Sequence, residues 1–216
     1  MEGVRFPSPC IRGGMSHTIQ FYFDFMSPYA YLAHAQLLAL ADRYRHSVEY
    51  LPVDLRRLKL AAGNTGPANR EIPAKLKHLR VDMQRWARRY GVSLVPPAGY
   101  GSDRLNCGTF YAIDRDCARQ YVQVAWDLVW GQGGDMAAPA LAEEVAHRMG
   151  WDAAGFLAWT GCEAAQSRYR AVIDRAEGLG VFGVPSMLVG GEMWWGNDRL
   201  DFLEEHLAAS SSGGRS

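Results

Sequence analysis

Hydrophobic positions along the chain change period three times, and each change marks a different kind of element. Ile19-Gln20-Phe21-Tyr22-Phe23 is a short, dense run of β-formers. Ser27-Pro28 follows it as a helix start, a hydroxyl cap and then a proline at the first helical position. These residues predict a strand, a tight turn and a helix N-terminus meeting at one point. The helix runs to about Tyr44, with Tyr31, Ala35, Leu37, Leu38, Ala41 and Tyr44 spread over most of its faces, as in a helix packed against a sheet. Val48 to Val53 then alternates as a second strand, and the β-α-β unit so formed predicts a parallel, right-handed crossover.

Beyond it, Asp54-Leu55-Arg56-Arg57-Leu58-Lys59 is basic, and Gly63 to Arg70 is a loop rich in turn residues. About a hundred residues of helical period follow. Leu76, Leu79, Met83, Trp86 and Tyr90 form one stripe, closed by Gly91 in the usual C-terminal way. Ile113, Cys117, Tyr121, Val124 and Leu128 form another, which assigns Cys117 to the core. Pro139 opens a third helix through Val145, and shorter helices are expected over Asp152–Thr160 and Glu163–Glu177. The chain then returns to strands: Pro185 stands at the mouth of Ser186–Val189, Gly190-Gly191 makes a hairpin, Glu192–Trp194 comes back, and a last helix starts near Asn197.

Composition narrows the class without deciding it. With 216 residues and 48% hydrophobic content, there is material for one good core. The 23 Lys and Arg balance the 23 Asp and Glu, so no bulk field invites nucleic acid or an anionic membrane. Cys10, Cys107, Cys117 and Cys162 form no CxxC pair, a spacing that fits reduced cytoplasmic thiols better than a disulfide framework or a zinc site. None of the six histidines shows metal-ligand spacing, and no metal is expected. Residues 1–16 are rich in Gly, Pro, Ser and Arg and carry no continuous apolar segment, so they are read as a disordered extension, with Met15 as an alternative start. Residues 209–216 are read as a polar tail, which leaves a domain over 17–208 split by a helical subdomain at about 70–178.

Taken alone, Ser27 is a helix cap. A helix N-terminus nevertheless presents unpaired N–H groups and a partial positive charge, which stabilise an anion bound there.

The strings FYFDFMSPYAYLA, RRLKLAAGNTGPANR, VDMQRWARRYG and VFGVPSMLVGGEMWWGNDRLDFLEE, in that order, resemble the 2-hydroxychromene-2-carboxylate isomerase family from about Ile19 to Leu207. That family lies in the thioredoxin-like group with DsbA-type proteins and kappa-class glutathione transferases. The resemblance implies an α/β thioredoxin-like fold with a large all-helical insertion between the second and third strands. Where redox members of the group carry CxxC, this chain reads Ser27-Pro28-Tyr29-Ala30, with no thiol to exchange disulfides.

The resemblance further implies glutathione as a cofactor, its thiolate hydrogen-bonded by the Ser27 hydroxyl. Val184, ahead of a cis proline, would pair with its peptide backbone, and Trp195, Gly196, Asn197 and Asp198 would bind its γ-glutamyl end. Lys59, Asn69, Arg70 and Tyr100 match the positions that hold a flat aromatic carboxylate substrate. Thiolate addition, ring opening, rotation and elimination would convert 2-hydroxychromene-2-carboxylate to trans-o-hydroxybenzylidenepyruvate, in a cytoplasmic homodimer serving naphthalene-type catabolism. A thiol of pKa about 8.5 is mostly protonated near neutrality. One hydrogen bond to its charged form is worth about 1.5–3 kcal/mol, or roughly one to two pKa units. A kappa-like transferase that consumes glutathione and a non-catalytic thioredoxin-like binding module are the alternatives.

Overall fold

The computed structural model describes residues 18–212, so Cys10, Met15, His17 and the expected N-terminal extension lie outside it. Strand β1 (Thr18–Phe23) enters helix α1 (Pro28–Tyr44) through a turn closed by the Ser27 N–H donating to the Asp24 carbonyl at 2.9 Å. Ser27 caps α1 as expected, its Oγ accepting from the Ala30 N–H at 3.3 Å. Strand β2 (Ser47–Pro52) pairs parallel with β1, from Thr18 opposite Ser47 to Phe23 opposite Pro52. Strand β3 (Ser186–Val189) lies antiparallel on the other side of β1, with Tyr22 opposite Ser186, and β4 (Glu192–Trp195) returns along β3. The order is β2-β1-β3-β4, and the Val184–Pro185 peptide is cis. In this register β1, β2 and β4 end where β3 begins. The segments after Phe23, Pro52 and Trp195 and before Ser186 therefore emerge at one end of the sheet.

Period two along the strands divides the core. Ile19, Phe21 and Phe23 of β1, Tyr50 of β2 and Met187 and Val189 of β3 face one layer, whereas Tyr22, Leu51 and Leu188 face the other. Between β2 and β3 come α2 (Leu55–Ala61), α3 (Pro73–Tyr90), α4 (Asp103–Ile113), α5 (Ala118–Trp126), α6 (Pro139–Arg148), α7 (Ala153–Thr160) and α8 (Glu163–Gly178). The first layer holds α1, α5, α6, α7 and α9 (Leu200–Ser212), the second holds α2 and α8, and α4 packs into both, through Leu105 and Ala112 on one side and Cys107 and Phe110 on the other. Trp126 of α5 fills the centre of the first layer, 5.2 Å from the Phe23 ring and 5.3 Å from Phe25. Among the described residues no helix is long and apolar enough to cross a membrane.

Several elements differ from the sequence reading. Asp54 to Lys59 is the start of a helix, because the Asp54 carboxylate caps it by accepting from the N–H groups of Arg56 and Arg57. The stripe from Ile113 to Leu128 belongs to two helices, broken by Asp116 in the left-handed region at φ 53°. Cys117 consequently stands half-buried at the start of α5 instead of in the core. Helix α3 ends at Gly91 in the left-handed conformation, as expected, yet its stripe of Leu76, Leu79, Met83, Trp86 and Tyr90 is only half-buried. The tail expected from 209 continues α9 as far as Ser212, with 213–216 outside the described residues.

Packing of α1 on the sheet also buries His34, whose Nε2 lies 2.8 Å from the Tyr50 hydroxyl. Burial, and then the charge of Arg119, lower its pKa from 6.5 to about 3. The unfolded chain takes up this proton near 6.5 and the folded chain does not, so stability falls as pH drops through that window. Between pH 6.5 and 5 the loss is expected to reach about 2 kcal/mol, at about 1.4 kcal/mol per unit. Urea unfolding at the two pH values should show this difference in the natural protein. It should largely disappear in His34→Gln, which cannot titrate.

Candidate active site

All four segments that emerge at the sheet's end carry residues singled out in the sequence. Ser27 is 3% exposed. A lone pair of its hydroxyl serves the cap, and the hydroxyl's own proton remains to be donated. Alongside it opens a cleft of about 370 Å³ lined by Tyr29, Asp82, Trp86, Val184, Pro185, Trp195, Gly196, Asn197, Asp198 and Arg199. A second hollow of about 290 Å³ between α1, α3 and α9 shares Trp86, Asn197 and Asp198 with it.

The floor of the cleft is tied together by backbone. The Gly196 N–H donates to the Pro185 carbonyl at 2.9 Å, joining the end of β4 to the start of β3. Gly196 sits at φ 110°, a backbone conformation that favours glycine, and a Cβ there would push the Asp198 carboxylate aside. The last helix is preceded by a 3-10 turn, Asn197–Arg199, and the Asn197 side chain does not cap it. Asn197 is instead 4% exposed, and its Nδ2 has no hydrogen-bond partner among the described residues. Trp195 is no core residue: it is 50% exposed, its ring 4.8 Å from that of Phe182. Asp198 pairs with Arg199 at 2.7 Å.

Helix α3 supplies what the sequence reading missed. The Tyr29 hydroxyl donates to Asp82 at 2.7 Å, and the Tyr90 hydroxyl donates to the Asn197 carbonyl at 3.3 Å. Burial, and then the bond to Asp82, push the Tyr29 phenol well above its ordinary range. Trp86, one turn beyond Asp82, lines the cleft and, with Tyr90, the second hollow, so this end of the α3 stripe faces open space. A helical period shows that a face is covered, but not whether a core or an open cleft lies opposite.

Lys59, Asn69, Arg70 and Tyr100 lie outside that cleft and form a cluster of their own. The Arg70 guanidinium stands over the Tyr100 ring at 5.3 Å, and Asn69 accepts from the Lys75 ammonium at 3.3 Å. Burial, and then the charge of Arg70, lower the pKa of the Lys59 ammonium. Among the described residues neither Lys59 nor Arg70 has a carboxylate within salt-bridge distance, and two unneutralised cations beside an aromatic ring suit an anion. The Tyr100 ring packs on Trp130 at 6.3 Å, and the Trp130 indole N–H donates to the Phe25 carbonyl at 2.9 Å, two residues from Ser27. A five-residue π turn, Asp127–Gly131, carries that tryptophan.

A model of the DsbA-like thioredoxin domain matches residues 18–208. A 2-hydroxychromene-2-carboxylate isomerase of Pseudomonas putida is 45% identical over 189 residues, 88% of this chain and 93% of that one. The isomerase of the same name from Sphingobium xenophagum is 42% identical, over 89% of this chain and 99% of its own. The chain belongs to the 2-hydroxychromene-2-carboxylate isomerase family. A solved structure of such an isomerase aligns with a TM-score of 0.85 at 44% identity, covering 89% of this chain and 95% of the other. Within this DsbA-like fold the first helix opens with Ser27-Pro28-Tyr29-Ala30 and carries no thiol there. The three described cysteines are unpaired, and the Cys107 thiol is pushed up to about 12 by burial and then by Asp103, which makes it a poor nucleophile. Among the described residues no group of three or more His, Cys, Asp or Glu is arranged to hold a metal.

Two separate clusters predict separable effects. Arg70→Ala should weaken binding of an aromatic carboxylate by about 1.5–3 kcal/mol while leaving the cleft's ligand affinity nearly unchanged. Calorimetry with each ligand measures both, and equal losses would mean that the clusters are one site.

Proposed function

We propose that the protein converts 2-hydroxychromene-2-carboxylate to trans-o-hydroxybenzylidenepyruvate with glutathione as a returning cofactor, in the breakdown of naphthalene-type aromatics. Relatives at 42–45% identity that bear the isomerase name support the reaction. The observation that carries the glutathione reading is a buried serine hydroxyl, its proton free to be donated, at the start of the helix whose Tyr29 lines the cleft.

The residues fit the cofactor's chemistry. Asp82 and Asp198 suit an ammonium, and Arg199 together with the unpartnered Asn197 amide suits a carboxylate. Val184, also in the cleft, places its backbone in the bend just ahead of β3, for a peptide to pair with. When bound, glutathione supplies a thiol whose reversible addition to a conjugated carbonyl turns a fixed double bond into one that rotates. Ser27 would hold the sulfur by donating a hydrogen bond to it, and the positive end of the α1 dipole would favour its anion. Lys59 and Arg70 take the substrate carboxylate. Tyr100 steadies Arg70 by a cation–π contact worth about 0.5–1 kcal/mol at an exposed site.

The ultraviolet spectrum of the chromene with enzyme, followed with and without glutathione, tests the assignment. Isomerisation should require glutathione and leave its concentration unchanged. Stoichiometric loss of glutathione would indicate a kappa-like transferase, and failure to bind it at millimolar concentration a binding module.

Ser27→Ala, Gly and Asn separate the cap from the chemistry, because Gly and Asn keep capping near its original strength. All three should fold, bind glutathione and lose about ten- to a hundredfold in rate at neutral pH. Part of the rate should return as pH rises toward about 8.5, where the free thiol ionises unaided. A loss independent of pH would leave Ser27 orienting substrate only.

A further inference from the structure

Three residues before Ser27 lies a buried carboxylate that this chemistry does not use. Asp24 is 1% exposed, and its partners are neutral donors. Its Oδ1 accepts from the Met26 N–H at 3.1 Å, the Ser102 hydroxyl at 2.5 Å and the Asn106 amide at 3.1 Å. Its Oδ2 accepts from the Leu55 N–H at 3.0 Å. Burial raises its pKa, and the four hydrogen bonds oppose that rise. A charge held without a cation is an expensive way to close a turn, so the arrangement asks for a reason beyond stability.

The four donors sit on the segments that build the site. Met26 belongs to the turn ending in Ser27. Leu55 opens α2, which carries Lys59 one turn later. Ser102 lies two residues after Tyr100, and Asn106 of α4 also accepts the Phe25 N–H at 3.3 Å and donates to the Tyr169 hydroxyl at 2.9 Å. We infer that Asp24 is a positioning residue that sets the substrate cluster, through Lys59 and Tyr100, in register with Ser27. The inference rests on the glutathione-dependent reading above.

The geometry makes this sharp for Asp24→Asn. An amide accepts on one side only and turns an NH₂ toward the other. Its oxygen is favoured on the Oδ1 side, where three donors wait, so the NH₂ faces the Leu55 N–H and the bond that ties the start of α2 to the Ser27 turn is lost, while the Asp54 cap stays. The Ser27 turn keeps its bond from Met26. Ser102→Ala removes one donor near Tyr100 and leaves the other three bonds in place.

Three measurements on both full-length variants test the inference: steady-state isomerisation at saturating glutathione, calorimetry of glutathione binding without substrate, and amide exchange at Met26 and Leu55. In Asp24→Asn, KM for the chromene should rise about five- to twentyfold, with kcat and the glutathione Kd within about twofold of the natural protein. Leu55 should exchange faster while Met26 stays protected. Ser102→Ala should raise the chromene KM about three- to tenfold with the same split. An unchanged KM accompanied only by a lower Tm overturns the inference, as do parallel rises in KM and in glutathione Kd. Should Asp24→Asn not fold, Ser102→Ala decides by the same criteria. A natural protein that isomerises nothing with glutathione overturns the functional reading as well, whereas an active one with an indifferent Asp24→Asn overturns only the positioning role.

Discussion

A strand buried on both faces has to end without water, and that constraint shapes everything around Ser27. Phe21, Phe23 and Phe25 fill one layer and Tyr22 the other, so the polar backbone leaving β1 is under cover before it reaches α1. Each of its groups needs a protein partner. The Met26 N–H finds Asp24, the Phe25 N–H finds Asn106, the Phe25 carbonyl finds Trp130, and the Ser27 N–H closes back on the Asp24 carbonyl. Those partners come from the turn itself, from α4 and from the π turn. Satisfying the strand end thereby fixes the start of α1 against the helical insertion.

Sheet order then distributes the chemistry. With β1 central between parallel β2 and antiparallel β3, the chain leaving β2 passes on one flank of Ser27, and the chain entering β3 and leaving β4 passes on the other. The first flank leads to α2 and Lys59. The second leads to Val184, Pro185 and the Gly196–Arg199 turn. The cleft and the Lys59–Arg70–Tyr100 cluster on different flanks of the β1 end follow from the register of four strands, with α3 tied over the cleft side through Tyr29–Asp82 and Tyr90–Asn197.

What the sequence made legible was local or periodic. The dense β-formers of β1, the Ser27-Pro28 start, the Gly190-Gly191 hairpin and Gly91 as a helix stop each depend on a few neighbouring residues, and the structure keeps all of them. The misses depend on what lies opposite a residue. Helix α2 was hidden because Asp54 was counted as one charge in a basic run, whereas its carboxylate caps two N–H groups. Trp86 and Trp195 carry the same apolar signal whether they face a core or a cleft. Cys117 was misplaced because a stripe of helical spacing continues in sequence across a break that only the left-handed Asp116 reveals. The Asp24 network is invisible in sequence for a different reason: three of its four partners are 31, 78 and 82 residues away.

Capping and chemistry at Ser27 are compatible because they use different parts of one hydroxyl. The cap takes a lone pair, with the Ala30 N–H at 3.3 Å, and is worth about 1 kcal/mol. Stabilising a sulfur anion takes the proton and is worth about 1.5–3 kcal/mol. Each bond also favours the other, since a hydroxyl that accepts from an N–H becomes a better donor in a buried setting. A cysteine in that position is itself the nucleophile and leaves a second thiol no hydroxyl to lean on. On the proposed reading, a hydroxyl at this helix start serves a sulfur brought from outside, where a thiol would serve disulfide exchange.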